Sequence, residues 1–157
     1  MVKTRYLATA GLLVTILGAP DAAWSQAGAA ALLEAKSIKC EFPVMATGTW
    51  AKDGTPSAEV KAAKRPVAFS SIDTQGGTAI ADGAFGTQPI IVQVSGKYLH
   101  FMQIDTSGFL YVTTVFDSLS RPGRHKAVHT RHEFTDIALP GYTSRPEQYL
   151  GECEVTR

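Results

Sequence analysis

The sequence is poor in charge and in cysteine, and its one long apolar run lies near its start. Charged residues make up 18% of the 157 residues, which excludes a disordered acidic or basic tail. The two cysteines allow one disulfide at most. After residue 27 no apolar stretch approaches the roughly 20 residues that a membrane-spanning helix needs. With 45% hydrophobic residues, the chain as a whole has the composition of a single globular domain.

Residues 1–27 have the pattern of an export signal. Two basic residues precede an uncharged apolar run from Tyr6 to Gly18, which is too short to cross a bilayer. Ser25-Gln26-Ala27 places small residues where a signal peptidase accepts them, so we predict cleavage after Ala27. The expected mature protein is a secreted or periplasmic domain of residues 28–157 without a membrane span.

The charge of the predicted mature domain is balanced. Removal of residues 1–27 takes two of the 15 basic and one of the 14 acidic residues, leaving 13 of each. Binding to nucleic acid or to an anionic membrane surface calls for clustered Lys and Arg. We therefore expect neither of these partners.

The two cysteines, Cys40 and Cys153, lie near opposite ends of the mature chain. In an exported protein such a pair typically forms a disulfide. A metal pair or a catalytic thiol is the weaker interpretation, because there is no Cys-x-x-Cys spacing and neither cysteine lies beside a histidine. Closing a loop of about 114 residues stabilises a fold by roughly 4 to 5 kcal/mol in the chain-entropy model.

Runs rich in Val, Ile, Thr, Phe and Tyr recur between Gly, Asp, Ser and Pro clusters, which predicts about eight strands. A short helix is predicted over Ala29–Lys36, whose residues are good helix formers. The predicted strands are Ile38 to Phe42 continuing through Thr47 to Lys52, Ala58 to Ile72 with a break at Pro66 left open, Thr78 to Asp82, Ile90 to Val94, Tyr98 to Ile104, Phe109 to Phe116, Lys126 to Thr135, and Gln148 to Val155.

Short Gly-containing links such as Ser95-Gly96-Lys97 connect the predicted strands, and they suit antiparallel hairpins. Closing such a sheet on itself removes its two exposed edges. An up-and-down barrel also places the first strand, with Cys40, beside the last, with Cys153. We therefore predict an all-β antiparallel up-and-down barrel of about eight strands, with a two-sheet β-sandwich as the alternative.

The segment Gly48-Thr49-Trp50, at the first strand of a chain of this size and strand count, resembles the lipocalin and avidin (calycin) barrels. In those families the Trp packs across the closed end of the barrel, and the Gly lets the chain pass close to it. The resemblance implies a small barrel with Trp50 as a core residue. It does not imply a biotin site, because the further Trp residues that line the avidin site are missing.

The hairpin of Tyr98–Ile104 and Phe109–Phe116 carries apolar residues on both faces. Pairing Ile104 with Phe109 predicts that one face mixes aromatic and polar side chains. Such a face suits a small apolar ligand with one polar end, although aromatic residues also simply fit strands well. The predicted ligand-binding residues are Tyr98, His100, Met102, Tyr111 and Thr113.

Three of the four histidines lie in the basic stretch from Arg121 to Arg131 and in His132-Glu133, which follow it. On a helix the spacing of His125, His129 and His132 would align them as metal ligands. On a strand, which the neighbouring residues favour, His129 points one way and His132 the other. The zinc-protease spacing His-Glu-x-x-His is not present. We therefore expect no metal and no cofactor, and we interpret the histidine stretch as a solvated strand face.

No Gly-x-Ser-x-Gly segment or phosphate-binding loop occurs in the sequence, so we expect a binding protein and not an enzyme. The leading hypothesis is an exported, disulfide-closed barrel that holds a small apolar molecule. The alternative is a protein-interaction or envelope-structural module, which includes inhibitors of secreted hydrolases. An apolar outer face would then be covered by a partner protein or by a second subunit.

Overall fold

A computed structural model of the chain describes residues 32–83, 86–106, 108–134 and 145–156. The predicted signal segment, residues 1–27, lies outside the described residues, as do residues 29–31 of the predicted helix over Ala29–Lys36. Of that helix, only Leu32 and Leu33 are described with helical backbone. Leu32 and Ala35 are buried against the barrel. No helix among the described residues has the length and apolarity to cross a membrane.

Eight antiparallel strands form one closed barrel in which each strand pairs with the next and the last pairs with the first. The predicted up-and-down barrel is confirmed, and the sandwich alternative is wrong. The strands are β1 (Ser37–Trp50), β2 (Pro56–Asp73), β3 (Thr78–Gly83), β4 (Gly86–Ser95), β5 (Tyr98–Ile104), β6 (Leu110–Arg121), β7 (Arg124–His132) and β8 (Glu147–Thr156).

The predicted disulfide is present and closes the ring. Cys40 of β1 is the direct cross-strand neighbour of Cys153 of β8. Their Cα atoms are 4.0 Å apart, and the bond joins residues separated by 113 positions. Both side chains are buried. The covalent link therefore lies in the wall where the first and last strands meet.

The strand β2 is continuous through Pro66, so the break that the sequence left open does not occur. Only Ala68–Asp73 of this strand pairs with β3. The preceding part, from Pro56, pairs with β1 alone among the described residues. The β1–β2 hairpin therefore extends past the β3–β4 hairpin at one end of the barrel.

The predicted register of the β5–β6 hairpin is wrong by one residue. Ile104 pairs with Leu110, and the intervening turn includes Phe109, whose carbonyl accepts a hydrogen bond from the Asp105 N–H at 2.9 Å. A shift of one position moves every side chain of one strand to the other face of the sheet. The predicted face of the β5–β6 hairpin, with its aromatic and polar side chains together, is therefore not formed.

The barrel interior is apolar at the end where β1 begins. Leu99 and Val115 pair across β5 and β6, and both are fully buried. The rings of Phe69 and Phe101 stack with centroids 3.9 Å apart. The remaining core is contributed by small and branched side chains, which are Ile38, Ile72, Ala79, Ala81, Ile90, Val92 and Ala127. Packing of these residues supplies the main hydrophobic stabilisation of the fold.

The expectation that Trp50 is a core residue is wrong. Trp50 is 51% exposed at the end of β1, and its ring meets Phe134 edge-on with centroids 5.0 Å apart. No described atom lies within 4 Å of where a Cβ on Gly48 would be. The close chain approach that the calycin resemblance implies at this Gly is therefore not seen among the described residues.

Candidate functional site

The wall of the barrel is irregular at Pro43 of β1. On β2, Phe42 pairs with Arg65 but Val44 pairs with Ala62. On β8, Glu41 pairs with Glu152 but Val44 pairs with Leu150. This is a β-bulge, which bends a strand and re-aims the side chains that follow it.

The bulge changes which residues of β1 face inward. Before it the even-numbered residues Ile38, Cys40 and Phe42 are buried, whereas after it Thr47 is buried and Val44 is exposed. Pro43 suits the bulge because it has no N–H to contribute to the ladder. Side chains therefore face inward along the whole of β1, but they belong to even-numbered residues before the bulge and to odd-numbered residues after it.

Gly151 of β8 lies against the bulge. A Cβ at this position would come within 2.0 Å of the Glu41 carbonyl oxygen and 2.8 Å of the Phe42 Cα. Both of those atoms belong to residues of β1. Only a residue without a side chain allows β1 and β8 to approach this closely.

A groove with a volume of about 560 Å³ opens at the bulge. This volume is within the range of small-molecule sites, which is about 300 to 1,000 Å³. The groove brings together segments of β1, β2, the end of β6 and β8. Its lining residues are Glu41, Phe42, Pro43, Ala63, Lys64, Arg65, Pro66, Arg121, Gly151 and Glu152.

The rim of the groove carries charges of both signs, and one pair of them is satisfied internally. Arg121 forms a short ion pair with Glu152, and Ser120 donates a hydrogen bond to the same carboxylate at 2.7 Å. These contacts lower the pKa of Glu152. Among the described residues no carboxylate forms an ion pair with Lys64 or Arg65. The rim therefore presents two cations of β2 that are available to an anionic group.

Behind the groove, Phe42 contacts a histidine that is held in the barrel interior. His129 is 4% exposed, and its ring centroid lies 5.7 Å from Phe42, 5.7 Å from Tyr149 and 6.1 Å from Tyr111. Its Nδ1 shares a hydrogen bond of 2.8 Å with the Thr113 Oγ1. Its Nε2 is buried and has no hydrogen-bond partner among the described residues.

Burial, and secondarily the positive charge of Arg65, lowers the pKa of His129 to about 4. The imidazole is therefore neutral at neutral pH, and Nε2 provides a single donor or acceptor. A buried polar atom without a partner costs free energy. Arg65 is the cross-strand neighbour of Phe42, and its charge is the smaller of the two causes that lower the pKa of His129.

An ion-pair network forms the next layer of the interior. Arg131 contacts Glu133 at 2.7 Å and Glu147 at 3.4 Å, and both carboxylate side chains are only 4% exposed. Tyr149 donates a hydrogen bond of 2.7 Å to Glu147. Burial and then this hydrogen bond raise the pKa of Tyr149 to about 12. The interior thus changes from apolar to polar along the barrel axis.

The structure divides the predicted ligand-binding residues between two faces. Tyr111 and Thr113 face inward and belong to the layers around His129. Tyr98, His100 and Met102 lie on the outer face of β5. There His100 shares a hydrogen bond of 3.0 Å with Thr114, and Tyr98 meets Phe116 edge-on at 5.3 Å.

The outer face of β4, β5 and β6 carries an apolar patch, which we call the outer wall. The register aligns Ile91, Met102 and Val112 in one row across the three strands. Ile104 of the same face is 71% exposed. The outer wall is made of Pro89, Ile91, Met102, Ile104, Leu110 and Val112.

The histidine stretch forms a strand as predicted, but the expectation that its histidines lie on a solvated face is wrong for two of the three. His125 and His129 of β7 are buried, and His132 is exposed. No group of three His, Cys, Asp or Glu residues among those described is arranged to hold a metal ion. The basic turn at Pro122-Gly123 is flanked by paired side chains, since Arg124 contacts Glu154 at 3.0 Å.

Sequence reasoning did not find the groove, although its signals were present. Pro43 and Pro66 lie within stretches that otherwise predict strands, and a proline there marks a bulge or an edge. Gly151 within β8 marks a close backbone approach by the same reasoning. The sequence does not show the strand register that brings these three positions together.

Comparison of the chain with protein-family models, with curated proteins and with solved structures finds no match.

Proposed function

We propose that this protein binds a small amphipathic molecule, with an apolar body and an anionic group, in the groove at the β1 bulge. The observation that carries the proposal is the composition of the groove. Phe42, Pro43, Ala63, Pro66 and Gly151 supply an apolar lining. Lys64 and Arg65 lie beside this lining, and neither forms an ion pair among the described residues.

The two cations of β2 outnumber Glu41, the one groove carboxylate without an ion pair among the described residues, and so favour an anionic group on the ligand. Lys64 and Arg65 lie on one side of the groove, and Glu152 on the other side is held by Arg121. Guanidinium and ammonium groups bind carboxylate, sulfate and phosphate groups through charge-assisted hydrogen bonds. The apolar part of the ligand would rest over the proline rings and Gly151.

We further propose that the protein is exported and acts by binding, not by catalysis. The Cys40–Cys153 disulfide supports export, because such bonds persist in oxidising compartments. The closed barrel also supports kinship with calycin barrels at the level of fold. The exposed position of Trp50 does not add to that kinship.

Two related dyes test the ligand chemistry. Anilinonaphthalene sulfonate carries an anionic group, whereas N-phenyl-1-naphthylamine has the same rings and no charge. We expect the sulfonate to bind more tightly, and the double variant K64A/R65A to weaken it roughly tenfold, for about 1.4 kcal/mol. The exposed Lys52 at the hairpin tip provides the matched control K52A, which should leave binding unchanged.

A second variant tests the location of the site. Ala63→Phe would fill the groove and should abolish binding of both dyes while the protein stays folded by circular dichroism. Ile104→Lys on the outer wall should have no effect on either dye. Loss of dye binding in Ile104→Lys, with no effect of Ala63→Phe, would place the site on the outer wall and refute the groove.

The outer wall supports a second candidate function, which is contact with a partner protein. Ile91 and Ile104 are more than half exposed there, and contiguous apolar patches on soluble proteins mark interaction sites. A photo-reactive amino acid at position 104 should cross-link one defined protein in the native compartment. Ile91→Lys should suppress that product, and an unchanged product would exclude the outer wall.

A further inference from the structure

In the part of the chain that the structure describes, one edge of the strand β2 is unpaired over most of its length. Ala68–Asp73 pairs with β3 on this side, but residues 56–67 have no strand neighbour there among the described residues. An open row of N–H and C=O groups is a template for pairing with another strand. The edge is bounded by Pro56 and Pro66, which have no N–H to donate.

The hydrogen bonds of the hairpin define which residues face the open edge. The Ala51 N–H donates to the Thr55 carbonyl at 2.9 Å, and the register is regular from there to Val44 paired with Ala62. Hydrogen-bonded and non-hydrogen-bonded pairs alternate along an antiparallel ladder. The residues that direct N–H and C=O groups away from β1 are therefore Ala58, Val60 and Ala62.

We propose that a second copy of this chain pairs with the open edge, antiparallel, with a two-fold axis at Val60. In this register Glu59 lies opposite Lys61 of the partner subunit, and Lys61 lies opposite Glu59 of the partner subunit. Val60, which is 71% exposed, meets Val60 of the partner subunit. Opposite charges and apolar residues facing across strands stabilise a pair.

The charges select this register over its neighbours. Moving the axis by one residue places Glu59 opposite Glu59 of the partner subunit, or Lys61 opposite Lys61 of the partner subunit. Like charges directly opposite are destabilising. Within one chain Glu59 and Lys61 already contact each other at 3.0 Å on one face of β2. The dimer joins two such pairs into one alternating cluster of four charges.

The interface is isologous, because the same edge is used by both subunits. The flanking prolines limit the length of the pairing, so the contact closes as a dimer and does not propagate into a fibre. The proposal does not depend on the groove or on its ligand.

Charge exchange provides the decisive experiment, with sedimentation velocity of the oxidised protein over a concentration series as the measurement. We expect a wild-type dimer whose Kd rises at least tenfold in each single variant, E59K and K61E. The double variant E59K/K61E restores the opposite-charge pairs and should dimerise like wild type. A mixture of the two single variants should form a heterodimer.

Two further variants test the backbone pairing and the axis. Val60→Pro removes an N–H that faces away from β1, and it should raise the Kd roughly thirtyfold through two lost hydrogen bonds. Val60→Cys should form a disulfide across the two-fold axis, because hydrogen-bonded pairs have Cα atoms about 5.5 Å apart. Ile104→Cys is the control of equal exposure on the outer wall, and it should not cross-link.

Three results would overturn the proposal. The first is a wild-type monomer over the whole concentration series. The second is a dimer whose Kd is unchanged in E59K and K61E, which would place the contact elsewhere. The third is slow hydrogen exchange of the Val60 amide at concentrations where the protein is monomeric, which would mean that the chain itself covers the edge.

Discussion

Replacement of Gly151 by Ala is the most direct test of how the barrel closes at the β1 bulge. The added Cβ would lie 2.0 Å from the Glu41 carbonyl oxygen, far inside van der Waals contact. Relief of this clash requires β1 and β8 to separate by more than about 1 Å, which is a backbone shift of the kind that overpacking forces. The Cys40–Cys153 bond, at the neighbouring cross-strand pair, opposes that separation.

Overpacking that forces a backbone shift costs about 1 to 3 kcal/mol and at times more. Ala also stiffens the unfolded chain, which returns roughly 0.5 to 1 kcal/mol. Because two backbone atoms and one ring atom obstruct the Cβ, we expect a net loss of about 2 kcal/mol. The corresponding fall in Tm is roughly 6 to 8 °C for a chain of this length.

The measurement is guanidinium unfolding of the oxidised protein, followed by circular dichroism. Gly48→Ala is the matched control in β1, because no described atom lies within 4 Å of its added Cβ and its φ is not left-handed. It should stabilise the protein by about 0.5 kcal/mol. Equal midpoints for Gly151→Ala and Gly48→Ala would refute the close approach of the two strands.

Three further predictions concern covalent closure and titration. The double variant C40A/C153A should lose about 4 to 5 kcal/mol of unfolding free energy; a loss below about 1 kcal/mol contradicts the chain-entropy argument. His129 takes up a proton near pH 6.5 when unfolded but only near pH 4 when folded. The contribution of neutral His129 to the free energy of unfolding is therefore complete above about pH 6.5, and it falls by about 1.4 kcal/mol per pH unit as the pH decreases toward 4. An imidazole NMR titration midpoint near 6.5 would refute this. The Tyr149 pKa of about 12, above the unfolded value of about 10, predicts stability lost as the pH rises through that interval. The absorbance at 295 nm of wild type minus Tyr149→Phe should show no phenolate at pH 10.5.

The sequence was sufficient to predict the strand order, the barrel and the disulfide. These features follow from local composition, from the short links between strands, and from two cysteines that lie in the first and the last strand. The continuous passage of β2 through Pro66 could not be predicted, since a proline there signals a break unless one side of the strand is unpaired. On the side away from β1, residues 56–67 have no strand neighbour in the described part of the chain, so the missing N–H costs no ladder bond there.

The candidate site was harder to predict, because it depends on position and not on residue type. A one-residue difference in the β5–β6 register transfers Tyr111 and Thr113 to the interior and leaves His100 outside. The groove depends on an equally small event, the skipped position at Pro43. Periodicity reports which residues alternate, but not where the alternation changes phase.

The change of phase at Pro43 also determines which side chains of β1 lie beside the buried polar layer. Without the bulge, the even residues of β1 would continue inward, so Val44 would replace Met45 beside Tyr149 and Ala46 would replace Thr47 beside Glu147. The bulge therefore places one hydroxyl group, that of Thr47, beside the Arg131 network, although its Oγ1 forms no hydrogen bond among the described residues. The same irregularity that admits Thr47 to the inside opens the groove on the wall. An interior change at His129, such as protonation, should therefore alter binding in the groove through Phe42, and a dye affinity that is constant from pH 7 to pH 4 would refute that coupling.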